Sequence, residues 1–325
     1  MRTNMVGSAM FVSAALLMCG CHSPNSIQGH SAQDAQSLRL AFIACSADAA
    51  FFEPVKKGMR DAAEMLKVQS DFLGTKGVDI PAQVQMVRQA VRAGYDGIAL
   101  NIIDPCAFDG VIQAAIDAGV PVVGFNVDDQ ATPNARLSSV NQRLYEAGKS
   151  LGKYMLPFVA DHAHVLVTMH DEGISALEDR LHGIQEGLGQ KNVQWKILIT
   201  GNNPLPGAEK VAEALKENPD IRVILGTGQA DTEAVGRMIE KKNHAGKEYR
   251  AAGFDLSPKT LQLIQDGYLL CTIDQQPYLQ GFYPVVQLTQ YLRYGLMPCN
   301  IDTGAAIIDM SNVKDVVKLT RQNIR

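Results

Sequence analysis

Residues 94–126 read GYDGIALNIIDPCAFDGVIQAAIDAGVPVVGFN, and they contain one complete strand–helix–strand pattern. The first apolar run, at 97–100, is short and uninterrupted. Apolar residues then recur with helical spacing over 108–118 until Gly119, and a second apolar run occupies 120–125. Continuous apolar strands that alternate with helices are typical of a parallel sheet covered on both faces. The stretch therefore predicts a doubly wound α/β fold.

The same alternation extends in both directions and forms two successive α/β units along the chain. Toward the amino terminus, strand runs at 38–45 and 68–73 are followed by helical patterns over 54–66 and 80–93. After residue 140 the pattern begins again, with strands predicted at 164–168, 195–200, 222–225, 249–253 and 269–273, and helices at 144–158, 178–188, 208–217, 232–241 and 258–265. With 325 residues, the chain is long enough for two α/β lobes of ordinary size.

The composition is that of a folded globular protein, with 46% hydrophobic and 20% charged residues. The formal net charge of −4 carries no basic excess, so nucleic acid is not an expected partner. Aromatic residues make up only 6% of the chain, so few of them are available to contact a ligand.

Residues 1–20 are typical of a signal peptide, since Arg2 precedes an apolar run at 5–18 that is too short to span a membrane. Residues 21–37 are rich in Ser, Gln, Asn, Gly and Pro, a composition typical of a flexible tether. Cys21 follows a glycine as in a bacterial lipobox, which predicts its lipidation, and a plain secretory signal is the alternative. We therefore expect an exported protein, periplasmic or at the cell surface, held to the membrane only by a lipid anchor.

Export implies an oxidising compartment, in which disulfides are possible. Four cysteines follow the predicted lipidation site, and none has the spacing of a metal site. They are Cys45, Cys106, Cys271 and Cys299. One disulfide among them is possible, and the sequence does not assign it.

Polar side chains follow seven of the predicted strands. In open parallel sheets, ligands bind outside the carboxyl ends of the strands. The side chains of Asp, Asn, Gln and Arg can each form two hydrogen bonds side by side, which suits the adjacent hydroxyls of a sugar. A single Asp or Asn after a strand could instead cap the next helix. The candidate residues are Asp48, Asn126, Asp128, Arg180, Asn202, Gln229, Asp231, Asp255 and Gln275. Phe51 and Phe52 offer an apolar face for the ring, and one of them could be a core residue.

No catalytic motif stands in the structural context that its chemistry needs. The Gly226-Thr227-Gly228 turn lacks the third glycine of a dinucleotide-binding loop, and GxxxxGK[ST] and HExxH do not occur. The one GxSxG match, at 148–152, lies inside the helix predicted at 144–158 and not at a strand-to-helix turn. His170, beside Asp171 and Glu172, fits a polar loop at the mouth of a cleft better than metal or base chemistry. We expect no catalytic residues, no metal and no cofactor, and therefore a binding protein.

An ordered set of motifs resembles one family across nearly the whole chain after residue 37. The motifs are AAFFE at 49–53, GYDGI at 94–98, GVPVV at 119–123, NPD at 218–220, AGFD at 252–255 and TIDQQP at 272–277. Together they resemble the periplasmic ribose-binding protein family, the pentose- and hexose-binding type I solute-binding proteins of ABC transporters.

The resemblance implies a Venus-flytrap fold, in which two lobes are joined by three crossings and close on a ligand between them. The crossings are expected near 138–141, near Gln275 and near 303–305. The amino-terminal lobe would then contain 38–140 and 276–304, and the carboxy-terminal lobe 141–275 and 305–325. The implied function is the delivery of a solute to an ABC permease by a monomer.

The resemblance also implies roles for individual residues. The paired aromatic residues of the family match Phe51 and Phe52, its cleft arginine matches Arg180, its late aspartate matches Asp255, and its hinge glutamine matches Gln275.

Other positions depart from the ribose-binding pattern. Ala49, beside Asp48, replaces an asparagine of the family, and Ala230, between Gln229 and Asp231, replaces another. Asn126 and Val127, just before Asp128, replace an aspartate–arginine pair. The third stacking aromatic residue of the family falls in 201–204, which includes Asn202 and has no aromatic residue. These departures disfavour ribose itself, so the expected solute is a monosaccharide or a related polyol.

A second function remains open for the same fold. A ligand-sensing co-receptor for a sensor kinase or chemoreceptor would use the same cleft. A DNA-binding repressor is disfavoured, because a signal peptide stands where its helix-turn-helix would be.

Overall fold

The computed structural model describes residues 37–104, 106–128, 134–242 and 248–325. The predicted signal peptide, nearly all of the tether and Cys21 lie outside the described residues. The strands are β1 (Arg39–Ala44), β2 (Gln69–Gly74), β3 (Gly97–Leu100), β4 (Val122–Asn126), β5 (Ser138–Asn141), β6 (His164–Met169), β7 (Gln194–Ile199), β8 (Val223–Gly226), β9 (Arg250–Phe254), β10 (Cys271–Asp274), β11 (Ile301–Asp302) and β12 (Ala306–Asp309). The α-helices are α1 (Glu53–Leu66), α2 (Ile80–Arg92), α3 (Asp109–Asp117), α4 (Leu144–Met155), α5 (Ser175–Gly187), α6 (Pro204–Glu217), α7 (Gln229–Lys241), α8 (Pro258–Gln265), α9 (Pro277–Tyr294) and α10 (Val313–Thr320).

The strands form two sheets of the same design. The first has the order β11-β5-β4-β3-β1-β2, and the second has the order β12-β10-β9-β8-β6-β7. The strand pairs are parallel except for β10 with β12, which is antiparallel. Strands β1, β3 and β4 are almost entirely buried, as expected for strands covered by helices on both faces. The predicted fold of two doubly wound parallel-sheet lobes is confirmed.

The chain passes between the two sheets three times. It leaves the first sheet after Asn141, returns after Asp274, and leaves again after Asp302. Helix α4 packs against α5 of the second lobe, and α9 packs against α1 of the first. The residues at these passages therefore connect the lobes and are the places where a hinge would act.

Several elements differ from the sequence-based expectation. The crossing expected near 138–141 follows Asn141, and residues 138–141 themselves form β5, a strand that was not predicted. The helices α5, α6 and α7 begin at Ser175, Pro204 and Gln229, three or four residues before the predicted starts. Their first turns precede the regular apolar spacing, so periodicity alone misses them.

Glycines allow two helix pairs to approach closely. In the α4–α5 pair, a Cβ at Gly148 would overlap the carbonyl oxygen of Arg180, and a Cβ at Gly183 would overlap the carbonyl oxygen of Tyr145. In the α1–α9 pair, a Cβ at Gly281 would overlap the carbonyl oxygen of Val55. The backbone of α5, which carries Arg180, is thus placed by direct contact with α4.

The four described cysteines are free, so the possible disulfide is not formed among them. Burial raises the pKa of the Cys45 thiol to about 12 and also raises the pKa of Cys271. Both side chains are therefore neutral packing groups at physiological pH. Within the described ranges, no helix is both long enough and apolar enough to cross a membrane.

Candidate functional site

A cavity of about 870 Å³ lies between residues that follow the strands of both sheets. Nine of the eleven residues predicted to bind ligand line it. They are Asp48, Phe51, Phe52, Asn126, Arg180, Asn202, Gln229, Asp255 and Gln275. The cavity is located where the topology of parallel sheets places ligands, at the carboxyl ends of the strands.

The two phenylalanines have different environments. Phe52 is only 4% exposed, and its ring centroid lies 5.6 Å from that of Phe72 and 6.4 Å from that of Phe125. Phe51 is partly exposed and meets Phe52 edge to face, with centroids 5.2 Å apart at 79°. Phe52 is therefore held in the core, and Phe51 is the aromatic residue whose surface remains available in the cavity.

Arg180 is the central cation of the cavity wall. Its Nη1 donates to the carbonyl oxygen of Thr227 at 2.8 Å and lies 3.4 Å from Asp255 Oδ2, while Nη2 donates to Gln142 Oε1 at 3.0 Å. The guanidinium carbon lies 4.3 Å from the centroid of the Phe254 ring. Arg180 is 3% exposed, and its Nε has no hydrogen-bond partner among the described residues. An unpaired buried donor is costly, so a hydrogen bond accepted from this atom would stabilise the site.

Asp255 and Gln275 join the second lobe to a hinge passage. Gln275 Nε2 donates to Asp255 Oδ1 at 2.5 Å, and Gln275 Oε1 accepts from Asn126 Nδ2 at 3.2 Å. Asn126 and Asp255 have φ of 64° and 69°, a left-handed conformation that Asn and Asp tolerate better than most residues. A chain of hydrogen bonds thus crosses from the first lobe through Gln275 to the second.

The amide network continues into the first lobe. Asn126 Nδ2 also donates to Gln280 Oε1 at 3.0 Å, and Asn126 Oδ1 accepts from Asn101 Nδ2 at 3.1 Å. Gln280 Nε2 donates to Thr303 Oγ1 at 3.0 Å, at the third passage between the sheets. These buried amides satisfy one another, which fixes the position of Asn126 on the cavity wall.

Three further residues lie toward the rim. Asp48 is exposed and accepts from Ser46 Oγ at 3.0 Å. Asn202 is exposed and donates to Asp171 Oδ2 at 3.4 Å. Gln229 Nε2 donates to the carbonyl oxygen of Leu256 at 2.6 Å, and its Oε1 has no hydrogen bond to a described residue.

Two predicted residues, Asp128 and Asp231, are not among the cavity-lining residues. Asp128 is buried and forms an ion pair with Arg136 at 2.5 Å. Asp231 is fully buried, and its Oδ2 accepts from the backbone N–H of Thr227 at 2.7 Å. Asp128 thus stabilises a loop by its ion pair, and Asp231 belongs to the capping box at the start of α7.

Sequence reasoning considered His170 and did not select it, although it is among the polar residues that line the cavity. It directly follows β6, so the strand-end rule that selected the other candidates also applies to it. Beside the cavity, Ser175 Oγ donates to the carbonyl oxygen of Ile103 at 3.2 Å, and Ile174 and Ala176 pack in the same cluster as Ile103. The lobes therefore touch along this side.

A buried acid ends β10, at the point where the chain returns to the first sheet. Asp274 is fully buried, its Oδ1 accepts from the Gln276 backbone N–H at 2.8 Å, and its Oδ2 lies 2.8 Å from Arg325 Nε. Burial raises the pKa of the Asp274 carboxyl, and these two partners oppose the rise. An acid whose pKa is higher in the folded state binds its proton more tightly there, so its ionisation disfavours folding.

This shift predicts the pH dependence of an Asp274→Asn variant. The free energy of unfolding of the variant should rise relative to the wild type as pH increases from about 4, the pKa of an unfolded aspartate, to 7. Asp61→Asn is the matched control with the opposite sign, because Lys57 lowers the pKa of Asp61. Urea unfolding of the three proteins at pH 4 and pH 7 measures both differences. A difference between wild type and Asp274→Asn that is independent of pH would contradict the assignment.

In the part of the chain that the structure describes, no group of three or more His, Cys, Asp and Glu side chains could hold a metal ion. The site offers the Arg180 guanidinium with the Asp255 carboxylate next to it, several amides, and the partly exposed ring of Phe51. Such a set binds a small polar solute by hydrogen bonds and ring contact. Two hinged α/β lobes with this cavity between them define the class of two-lobed solute-binding proteins.

Comparison with known proteins places the chain within that class. Residues 40–296 match the family model described as periplasmic binding protein domain, and the chain belongs to this family. A xylose/arabinose-binding protein, XylF from Sulfolobus acidocaldarius, is 30% identical over 297 residues, which cover 87% of this chain and 74% of that protein.

Two solved structures with 28% sequence identity have the same fold. One is an ABC sugar transporter protein (periplasmic sugar binding protein) from Legionella pneumophila, with a TM-score of 0.76 over 82% of this chain and 99% of that one. The other is a carbohydrate transporter protein from Acidothermus cellulolyticus in complex with myo-inositol, with a TM-score of 0.78 over 89% of this chain and 100% of that one.

Proposed function

We propose that this protein is the extracytoplasmic solute-binding protein of an ABC importer and that it clamps a monosaccharide or related polyol between its lobes. The observation that carries the proposal is the pairing of Arg180 and Asp255 in a cavity that also presents Phe51. A guanidinium beside a carboxylate offers donors and acceptors to adjacent hydroxyls, and an aromatic surface suits the C–H face of a ring. The relatives named for xylose, arabinose and myo-inositol support the same class of solute.

The hinge network supplies a mechanism for closure. Gln275 bonds Asn126 of the first lobe and Asp255 of the second, so the angle between the lobes is coupled to residues of the cavity wall. A solute that bonds both lobes stabilises the closed form by its differential affinity for that form. Unpaired groups such as Arg180 Nε raise the free energy of an empty closed cavity.

The partner and location follow from this function. The family supports an extracytoplasmic location, and an ABC permease that recognises the closed form is the proposed partner. Lipidation of Cys21 and a monomeric state remain predictions. We propose no nucleic-acid partner and no enzymatic reaction.

A thermal-shift screen over pentoses, hexoses, polyols and nucleosides tests the solute class. A ligand at about 100 times its Kd adds about 2.7 kcal/mol to the free energy of unfolding. For a chain of this size that raises Tm by roughly 4 °C. We expect shifts of this size for a few monosaccharides or cyclic polyols. A flat response across all carbohydrates would overturn the solute class and leave the fold and family unchanged.

A further inference from the structure

His170 is a cavity-lining residue whose ring is fixed in place from two sides. Its side chain is 21% exposed, and its Nδ1 lies 3.1 Å from Asp231 Oδ1. Beneath the ring lies Gly228, where a Cβ would come within 2.6 Å of Nδ1 and 2.7 Å of Cε1. The ring therefore occupies space that any side chain at position 228 would take.

Asp231 is suited to orient this ring. Its Oδ2 accepts from the backbone N–H groups of Thr227 at 2.7 Å and Gly228 at 3.2 Å, and from Thr168 Oγ1 at 3.3 Å. Because Oδ2 is already engaged by these donors, Oδ1 remains as the acceptor for His170. A carboxylate that accepts from Nδ1–H fixes the tautomer of a neutral imidazole and leaves Nε2 with its lone pair.

The other ring nitrogen is available to a ligand, since no described residue forms a hydrogen bond with Nε2. We infer that His170 is a ligand-contacting residue whose Nε2 accepts a hydrogen bond from a solute hydroxyl, and that Asp231 is its positioning residue. This inference rests on the proposed function, since it assigns one further contact within the same cavity. It also gives the buried Asp231 a role in binding that does not require the carboxylate to touch the solute.

Two substitutions at position 170 test the contacts of the two ring nitrogens separately. His170→Asn places its amide near the position of Nδ1 and keeps the bond to Asp231, but it removes the contact at Nε2. His170→Gln reaches the position of Nε2. Loss of one hydrogen bond with an uncharged partner corresponds to a roughly five- to tenfold loss of affinity. We therefore expect His170→Asn to weaken binding by about that factor and His170→Gln to retain more of the affinity.

The matched control is His164→Asn. His164 pairs with Asp220 at the amino end of the same strand, β6, and is not among the cavity-lining residues. Calorimetric titration of the intact protein with D-xylose, L-arabinose and myo-inositol measures affinity, and Tm without solute reports on folding. The inference predicts weaker binding for His170→Asn, unchanged binding for His164→Asn, and a similar Tm for both variants.

The tautomer provides a second readout that a purely structural role would not predict. Long-range ¹⁵N–¹H NMR spectra should show His170 protonated at Nδ1 without solute, and Asp231→Asn should remove that preference. Unchanged affinity of His170→Asn, or protonation at Nε2 alone, would overturn the inference. If the wild type gives no thermal shift with any carbohydrate of the screen, the proposed ligand class fails before the variants are compared, so the two failures are distinguishable.

Discussion

Arg180→Gln should weaken solute binding about 100-fold. The shorter neutral side chain removes the unpaired Nε donor and the guanidinium that holds Asp255 on the cavity wall. Hydrogen bonds with a charged partner contribute about 1.5–3 kcal/mol, and each 1.4 kcal/mol is a factor of ten in Kd. One such bond to the solute, together with the displaced Asp255, accounts for the expected factor. Calorimetric titration with D-xylose, L-arabinose and myo-inositol measures it.

A double variant distinguishes the loss of solute affinity from the loss of stability. Arg180→Gln leaves the Asp255 carboxylate buried without its cation, which destabilises a protein by about 3–5 kcal/mol when both groups are buried. The Arg180→Gln/Asp255→Asn double variant removes that charge and should recover much of the stability but none of the affinity. Arg92→Gln, at an exposed arginine of α2, is the matched control with unchanged binding. Wild-type affinity in the double variant would show that Arg180 does not contact the solute.

Gly183→Ala should lower the free energy of unfolding by about 3 kcal/mol, the upper part of the range for overpacked cores. The added Cβ would overlap the carbonyl oxygen of Tyr145, which belongs to the backbone of α4 and cannot rotate away. The helices α4 and α5 must then separate, and Arg180 lies one turn before Gly183 on α5. Urea unfolding measures the loss, and we expect solute affinity to fall as well.

Gly110→Ala is the matched control with the opposite expected sign. Gly110 also lies in a helix, α3, and among the described residues no heavy atom comes within 4 Å of a Cβ placed there. Alanine should therefore stabilise the protein by roughly 0.5–1 kcal/mol through its higher helix propensity. If both glycine variants changed stability equally, the close contact between α4 and α5 would not be a determinant of the fold.

The sequence predicts well those elements that depend on local pattern. The four-residue apolar run at 97–100 coincides with β3, and the helix predicted at 258–265 coincides with α8. Strands β11 and β12 were not predicted, because Ile301–Asp302 has only two residues and both strands depend on pairing with distant partners. Short strands of this kind carry too few residues for a periodic signal.

In the candidate site, too, the features that depend on local pattern were predicted and those that depend on tertiary contacts were not. Strand ends locate most of the cavity wall, because topology alone places them together. The roles of Asp128 and Asp231 depend on Arg136 and on backbone donors whose proximity is tertiary, so residue type does not distinguish them from ligand-binding acids. The difference between Phe51 and Phe52 also depends on which ring meets the aromatic core. His170 follows a strand and was therefore accessible to the strand-end rule, whereas its pairing with Asp231 is a tertiary contact that the sequence does not show.

A crystal structure of the protein with its tightest-binding carbohydrate tests the central claim most directly. The account predicts one solute molecule in the cavity between the lobes, within hydrogen-bond distance of the Arg180 guanidinium and in contact with the Phe51 ring. A solute bound outside this cavity, or inside it without contact to Arg180 and Phe51, would contradict the account.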